Sequence, residues 1–166
     1  MSIESLHIAL IEPEIPQNAG NIGRTCVGLG ARLHFIGKLG FSLSGKDIKR
    51  AGLDYWDKLQ FNHHKDWDTF VAALGDNVDI VFFSARGKRV LWDYPFRHPV
   101  CLIFGSESRG LPPSFYKKYF EKLIRIPTEG PIRSLNLATA VGIGAFEAVR
   151  QFKYDRKYTE SLSRAI

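Results

Sequence analysis

The sequence predicts an α/β fold with a mostly parallel β-sheet flanked by helices. Short apolar segments that resemble buried strands alternate with amphipathic segments along nearly the whole chain, which is typical of consecutive strand–helix units. The strand segments are mostly apolar, as expected when helices cover both faces of a sheet. With 166 residues, of which 45% are hydrophobic, the chain is long enough to form one sizeable core.

Five segments are predicted to be strands because each is short, apolar and rich in β-branched or aromatic residues. In chain order they are residues 6–11, 32–36, 78–83, 100–104 and 123–126. The spacing of apolar residues predicts helices over residues 19–30, 67–74 and 136–152, and a short basic helix around residues 46–51. Two prolines make residues 12–17 a loop, so that Asn18 stands at the expected N-cap of the first long helix.

The last long helix, residues 136–152, carries apolar side chains around most of its circumference. Ala140, Gly144 and Ala148 form a stripe of small residues along it. A helix that is apolar nearly all round must be buried on more than one side, and in a chain of this length a second subunit is the simplest cover. We therefore expect a homodimer in which a partner helix approaches this stripe. Residues 1–152 are predicted to form a single domain, followed by a polar tail over residues 153–166.

Composition excludes several classes of protein. No apolar run is long enough to cross a membrane, and the first residues lack the pattern of a secretory signal. Cys26 and Cys101 are too few for a disulfide framework and are expected to be reduced thiols in a cytoplasmic core. No residues show the spacing of a metal site, because His63 and His64 are adjacent and lack further ligands. The net charge of +6 and the pI of about 9.4 favour a nucleic-acid partner.

Polar residues concentrate in three loops that follow predicted strands, at the sheet edge where ligands bind in open α/β folds. The first loop leads into Asn18, Asn21 and Arg24, spaced along one side of a helix near its N-terminus, where anions bind well. The second, residues 104–113, places Glu107 and Arg109 between two glycines. It matches neither a phosphate-binding P-loop nor the turn of a nucleophilic serine. The third, residues 126–136, contains Arg133 and ends in two possible helix caps, Ser134 and Asn136.

These loops resemble the three signature motifs of the SPOUT class of RNA methyltransferases, and in particular the tRNA 2′-O-methyltransferases that act on the wobble nucleotide of the anticodon. The matching segments are EPEIPQN (12–18), GNIGR (20–24), LGF (39–41), KRAGLDY (49–55), FGSESRGLP (104–112), IP (126–127) and RSLN (133–136). Residues 86–98 match no family pattern, and Ser106 and Phe146 depart from residues common among relatives.

The resemblance implies S-adenosylmethionine as the methyl donor, without a metal, and S-adenosylhomocysteine as the product. It also implies a ribose 2′-hydroxyl in the tRNA anticodon stem-loop as acceptor, a C-terminal trefoil knot and a dimer whose site is completed across the interface. Carried over by motif position, the catalytic residues are Arg24, Asn18, Glu107, Ser134 and Asn136. The cofactor-binding residues are Phe83, Ser84, Gly105, Ile126, Ser134 and Leu135. The expected RNA-binding residues are Lys46, Lys49, Arg50, Arg109 and Arg133.

Within this reading, Arg24 accepts the proton of the ribose hydroxyl or clamps a phosphate of the reacting nucleotide. Physical chemistry prefers the clamp, because a guanidinium group is effectively never deprotonated in a protein. Two alternatives stay open at the level of sequence. The first is 2′-O-methylation at another position of tRNA or in ribosomal RNA, and the second is an RNA-binding scaffold without catalytic activity.

Overall fold

The computed structural model describes residues 6–44 and 53–163. Within them, seven strands form one parallel sheet. The strands are β1 (Leu6–Ile11), β2 (Arg32–Ile36), β3 (Phe61–His64), β4 (Asp79–Phe83), β5 (Arg89–Val90), β6 (Val100–Phe104) and β7 (Leu123–Arg125). The helices are α1 (Pro16–Leu29), α2 (Trp67–Leu74), α3 (Pro113–Lys118) and α4 (Leu137–Ser163). The predicted basic helix at 46–51 and the candidate residues Lys46, Lys49 and Arg50 lie outside the described residues.

The strand order β3-β2-β1-β6-β4-β7-β5 confirms the predicted parallel α/β sheet. In this order β6 lies between β1 and β4, and β7 lies between β4 and β5. Each of these two strands is therefore inserted between strands that precede it in the chain. Because all pairs are parallel, the carboxyl ends of β1, β4, β6 and β7 lie at one edge of the sheet. The three polar loops therefore emerge there together. The trefoil knot stays a prediction of the resemblance.

Side chains alternate between two hydrophobic clusters, one on each face of the sheet. In β1, Leu6, Ile8 and Leu10 belong to the cluster under α1 and α4, while Ala9 and Ile11 belong to the cluster under α2 and α3. This alternation explains why the strand segments are apolar at nearly every position.

The two thiols are free and buried, one on each side of the sheet, as the sequence predicts. Burial raises the pKa of the Cys26 thiol to about 12, and it raises the pKa of Cys101 as well. Both thiols therefore stay protonated at neutral pH and pack as small apolar groups.

The start of α1 differs from the prediction. The helix begins at Pro16, with Ile15 rather than Asn18 at the N-cap. Proline is favoured in the first turn because its missing N–H would have no partner there. Asn18 therefore lies inside the first turn, where only 6% of it is exposed and its side chain reaches other loops.

The packing of α4 corrects one expectation from the sequence. A Cβ atom on Gly144 would lie 2.6 Å from the Cζ atom of Phe83, and Ala148 is fully buried. The small residues thus pack against the sheet of the same chain. The prediction that a partner helix approaches this stripe is therefore wrong. The helix also continues past Phe152 to Ser163, beyond its predicted end.

Two strands have no counterpart in the sequence prediction. β3 has the sequence FNHH, with two exposed positions, and β5 has only two residues. Both lie at the ends of the sheet, where a strand needs neither continuous apolar character nor length. No helix among the described residues is long and apolar enough to cross a membrane.

Candidate functional site

A pocket of about 430 Å³ lies at the edge of the sheet where the three polar loops meet. Its apolar wall includes Phe83 at the end of β4, Phe104 at the end of β6 and Ile126 just after β7. The rings of Phe83 and Phe104 stack with centroids 4.5 Å apart. Leu135 and Leu137 approach from the loop before α4 and from its first turn. Parallel strands thus deliver an apolar floor, and the loops add polar groups around it.

Glu107 joins the loop after β6 to the start of α1. One carboxylate oxygen accepts a hydrogen bond from the backbone N–H of Glu14 at 2.7 Å. The other accepts from the N–H of Ile15 at 3.2 Å and from the Nδ2 atom of Asn18 at 3.0 Å. Hydrogen bonds from several N–H groups to one carboxylate are strong because the acceptor is charged. Glu107 therefore anchors the N-terminus of α1 at the pocket.

A second set of contacts runs in the opposite direction between the same two loops. The carboxylate of Glu14 accepts hydrogen bonds from the Ser108 hydroxyl at 2.7 Å and from the Ser108 N–H at 3.0 Å. Donation by the Ser108 hydroxyl holds the pKa of Glu14 below its usual value. Together with the Glu107 contacts, these bonds make a reciprocal clasp between residues 12–15 and 105–110.

Arg109 adds an ion pair to this clasp. Its guanidinium donates to the carboxylate of Glu12 at 2.8 Å and lies 3.9 Å from that of Glu14. Glu12 has a left-handed backbone with a φ of 47°, which is uncommon for a residue with a side chain. The turn at Glu12 brings its carboxylate to Arg109. The arginine expected to bind RNA therefore pairs with two carboxylates of its own chain.

Glycines allow the loop after β6 to fold back on itself. A Cβ atom on Gly105 would lie 2.0 Å from the carbonyl carbon of Gly110, and Gly110 has a φ of 70°. Ser106 and Gly110 exchange two backbone hydrogen bonds across this turn. The glycine spacing seen in the sequence thus produces a tight turn that presents Glu107 and Ser108 toward α1.

The third loop meets the other two through a pair of asparagines. The Nδ2 atom of Asn136 donates to the Oδ1 atom of Asn18 at 2.9 Å. The Oδ1 atom of Asn136 accepts from the N–H groups of Ala138 and Thr139, so Asn136 caps α4 as predicted. A continuous path of hydrogen bonds therefore runs from Glu107 through Asn18 to Asn136 and links all three loops.

Arg24 lies away from this pocket. It is exposed on α1, and its guanidinium carbon lies 4.7 Å from the centre of the Tyr55 ring. The ring belongs to a 3₁₀ turn, Leu53–Lys58, that packs against α1 where Gly23 has no side chain to obstruct Trp56. The contact with an aromatic face stabilises the guanidinium of Arg24 at the protein surface.

The other candidate residues fall into two groups. All six residues expected to bind the cofactor line the pocket, namely Phe83, Ser84, Gly105, Ile126, Ser134 and Leu135. Of those expected to be catalytic, Asn18, Glu107, Ser134 and Asn136 line it and Arg24 does not. Arg109 and Arg133 also line it. The roles of these residues stay predictions.

The sequence analysis did not identify Arg86, Tyr116 and Thr128, which also line the pocket. The hydroxyl groups of Ser84 and Tyr116 lie 3.3 Å apart, and the guanidinium of Arg86 lies 5.1 Å from the centre of the Tyr116 ring. Arg86 follows β4, Tyr116 lies in α3, and Thr128 lies in the third loop, but none of them belongs to a matching motif segment. The sequence offers one signal for them, which is that Arg86 closely follows a predicted buried strand.

The chemistry of the pocket fits a nucleoside-containing cofactor. Its volume falls within the range of roughly 300–1,000 Å³ that is usual for small-molecule sites. Stacked phenylalanines and aliphatic side chains can bury a base, while serine, threonine and asparagine groups can bind a ribose and an amino acid. In the parts of the chain that the structure describes, no group of three or more His, Cys, Asp or Glu side chains could hold a metal ion. The absence of a metal from the reaction stays a prediction.

Comparison with known proteins gives consistent results. The model of the SpoU rRNA Methylase family matches residues 5–146. A protein of Burkholderia pseudomallei (strain 1106a), named tRNA (cytidine(34)-2'-O)-methyltransferase, is 42% identical over 151 residues, which cover 90% of this chain and 97% of the relative.

Solved structures agree with this match. A structure described as giving insights into the 2-OH methylation of C/U34 on tRNA is 47% identical, with a TM-score of 0.82 over 89% of this chain and 96% of that one. An AdoMet-bound rRNA methyltransferase from Sinorhizobium meliloti is 29% identical, with a TM-score of 0.77 over 87% of this chain and 56% of that one. Sequence, sheet order and pocket therefore lead to one conclusion, which confirms the resemblance seen in the motifs: this chain belongs to the SpoU methylase family.

Proposed function

We propose that this protein is an S-adenosylmethionine-dependent methyltransferase that modifies the ribose 2′-hydroxyl of the wobble nucleotide, position 34, in the anticodon of tRNA. The observation that carries the proposal is the pocket in which Glu107, Asn18 and Asn136 link all three motif loops. Relatives that match nearly the whole chain carry this activity in their names. When bound, S-adenosylmethionine supplies an activated methyl group, so the protein must mainly bind, orient and exclude water.

The residues of the pocket divide these tasks. Phe83, Gly105, Ile126 and Leu135 offer the apolar surface and backbone groups for the adenosine part of the cofactor. Ser84 and Ser134 offer hydroxyl groups for its polar parts. Glu107, Asn18 and Asn136 keep the loops in register and are positioning residues in this proposal. A hydrogen-bonded network of this kind fixes geometry, and misplacement by about 1 Å can reduce a rate roughly a hundredfold.

We assign Arg24 the task of clamping the phosphate of the reacting nucleotide. It does not line the pocket of its own chain, yet it is exposed on α1. This position supports a homodimer in which Arg24 of one protomer serves the pocket of its partner. Exposed apolar side chains, including Phe146 on α4 at 59% exposure and Ile132 at 54%, support a subunit interface. The proposed enzyme acts in the cytoplasm, where its tRNA substrate is found.

The first experiment maps the product. The protein is incubated with isotopically labelled S-adenosylmethionine and tRNA that lacks 2′-O-methylation, and the label is located after digestion. Label on the ribose of nucleotide 34 is the expected result. Label at another position of tRNA, or in ribosomal RNA, would replace the proposed substrate while retaining the reaction. If the protein binds RNA but neither binds nor consumes S-adenosylmethionine, it is a scaffold. This result would refute the proposed enzymatic activity.

The role of Arg24 is tested by Arg24→Ala. We expect methyl transfer to fall by about a hundredfold to a thousandfold, because electrostatic stabilisation of this kind contributes roughly 2.7–4 kcal/mol. Affinity for S-adenosylmethionine, measured by calorimetry, should change less than about twofold. Arg32→Ala is a matched control, since Arg32 is also exposed but lies at the amino end of β2, on the opposite edge of the sheet. Collapse of cofactor affinity in Arg24→Ala would show that the assigned role is wrong.

A further inference from the structure

We propose that a basic and aromatic surface beside the cofactor pocket binds the phosphate backbone of the RNA substrate. We call it the β5–α3 surface. It consists of Arg86, Lys88, Tyr116, Lys117, Lys118 and Phe120. The inference rests on the proposed function in one respect, which is that the ligand is RNA. It assigns RNA contacts to residues that no sequence motif identifies.

Backbone packing fixes the position of two of these cations. A Cβ atom on Gly87 would lie 2.4 Å from the carbonyl carbon of Ile124, so the loop after β4 rests directly on β7. The N–H of Ser84 also donates to the carbonyl of Ile124 at 2.9 Å. Arg86 and Lys88 flank Gly87 and are exposed. Their side chains consequently extend over α3 and the turn that follows it.

Several cations of this surface lie against aromatic rings. The guanidinium of Arg86 lies over Tyr116, and the ammonium of Lys88 lies 5.8 Å from the centre of the Phe120 ring. Lys118 lies 5.1 Å from the centre of Tyr119. Phe120 is 48% exposed although it is a large apolar residue. Contact with a ring face stabilises a cation without neutralising it, so these charges remain available to an anion.

Positive charges far outnumber negative charges on this surface. Residues 84–90 and 113–125 contain a single carboxylate, Glu121, whose nearest oxygen is 3.9 Å from Arg89. The same segments contain the cations Arg86, Lys88, Arg89, Lys117, Lys118, Lys122 and Arg125. Lys122 is paired with Asp79 at 3.0 Å. Across the described parts of the chain, no carboxylate lies within 4.0 Å of Arg86, Lys88, Lys117 or Lys118.

Arg109 differs from the cations of this surface in its partners. Arg109 pairs with Glu12 and Glu14, so a phosphate would have to displace two carboxylates to reach it. The β5–α3 surface has no such competition. It is also continuous with the pocket, because Arg86 and Tyr116 line both. An RNA strand with one ribose at the pocket can therefore pass its neighbouring phosphates over Lys88, Lys117 and Lys118.

The test is the triple variant Lys88→Gln, Lys117→Gln, Lys118→Gln in the full chain, with binding of unmodified tRNA measured across a salt series. Each phosphate contact contributes roughly 0.7–0.9 to the slope of log affinity against log salt, so loss of three contacts should reduce the slope by about 2 to 3. We expect at least about tenfold weaker binding at low salt and a higher KM for tRNA. Affinity for S-adenosylmethionine should match that of the wild type, because none of the three lysines lines the pocket.

A control with the same charge change is Lys38→Gln, Lys58→Gln, Lys65→Gln, at the β2–β3 end of the sheet. The control should lower the slope by less than 1, and a Lys→Arg triple at positions 88, 117 and 118 should bind tRNA as the wild type does. If the Gln triple and its control lost equal amounts of tRNA affinity, only the net charge of the protein would matter. This result would overturn the proposal.

Two further outcomes also overturn it. One is unchanged tRNA binding in the Gln triple. The other is a Gln triple that keeps tRNA binding but loses affinity for vesicles of phosphatidylserine and phosphatidylcholine, which would make the surface a membrane contact. Binding can be measured even if the wild type methylates no tRNA, so failure of the proposed function is distinguishable from failure of this inference.

Discussion

Glu107 shows how much one residue contributes to the site. Its carboxylate accepts three hydrogen bonds, two from backbone N–H groups at the start of α1 and one from Asn18. All of its partners are donors, so the residue must be an acceptor on both oxygens. A carboxylate meets this requirement and an amide does not, because one end of an amide is itself a donor.

We therefore predict that Glu107→Gln lowers the free energy of unfolding by about 1–3 kcal/mol, since an NH₂ group would face an N–H donor. Urea denaturation measures the change, and affinity for S-adenosylmethionine should fall with it because the clasp borders the pocket. Glu121→Gln is the matched control, because its carboxylate is exposed and makes only a 3.9 Å ion pair. We expect a change within about 0.5 kcal/mol there. Equal effects of the two variants would contradict the role given to Glu107.

At the scale of elements, α4 is coupled to the pocket through Phe83. The helix packs on the sheet where Gly144 leaves room for the Phe83 ring, and that ring also stacks on Phe104. Because Phe83 lines the pocket, the fit between α4 and β4 controls the shape of the apolar floor.

The matched variants Gly144→Ala and Gly142→Ala test this coupling. The new methyl group at position 144 would displace the Phe83 ring, and we expect about 1–3 kcal/mol of destabilisation and weaker binding of S-adenosylmethionine. At position 142 a Cβ atom meets nothing within 4 Å, so alanine should stabilise the helix by up to about 1 kcal/mol. Thermal unfolding and calorimetry provide both readouts. A stabilised Gly144→Ala with normal cofactor affinity would exclude the coupling.

At the scale of the whole molecule, three histidines join three neighbouring strands on the sheet face under α2. His7 bonds to His34 with 2.9 Å between their ring nitrogens, and His34 bonds to His64 at 3.0 Å. Each such bond requires an N–H on one ring and a bare nitrogen on the other, and three neutral rings can meet this requirement. Burial, followed by the charges of His7, His64 and Arg32, lowers the pKa of His34 to about 3. Burial also lowers the pKa of His7 and of His64.

This arrangement predicts a loss of stability in acid. Since the pKa of His34 is lower in the folded chain than the ordinary value of 6.5, protons bind preferentially to the unfolded chain. Stability is complete above about pH 6.5 and declines as the pH falls below it. For His34 alone, we expect a loss of about 1 kcal/mol between pH 7 and pH 5.5.

Chemical denaturation across this pH range measures the loss. His34→Gln removes the titrating ring and should flatten the curve, because an amide can both donate and accept in its place. His63→Gln, on the exposed side of β3, should retain the wild-type dependence. An identical pH dependence of stability in His34→Gln and in the wild type would show that His34 does not cause the loss of stability in acid.

The class of the fold and much of the pocket follow from local patterns in the amino-acid sequence. Apolar runs of strand length, separated by helical spacing, specify a parallel sheet with two covered faces, and α2 and β6 have the predicted bounds. The edge where ligands bind follows from the direction of the strands. Residues such as Gly105 and Asn136 could be identified because tight turns and helix caps are local requirements that each demand a particular residue type.

Which polar groups face one another depends on how distant segments pack in the folded chain. Glu107 and Asn18 are separated by 89 positions in the chain, and the pairing of Arg109 with Glu12 depends on how two strands sit side by side. The stripe at Ala140, Gly144 and Ala148 has the same pattern whether it packs on a partner or on its own sheet, and the position of Phe83 settled the question for Gly144. Local chemistry selects residue types for turns and strands, whereas contacts between distant segments depend on strand order, which no short stretch of sequence encodes.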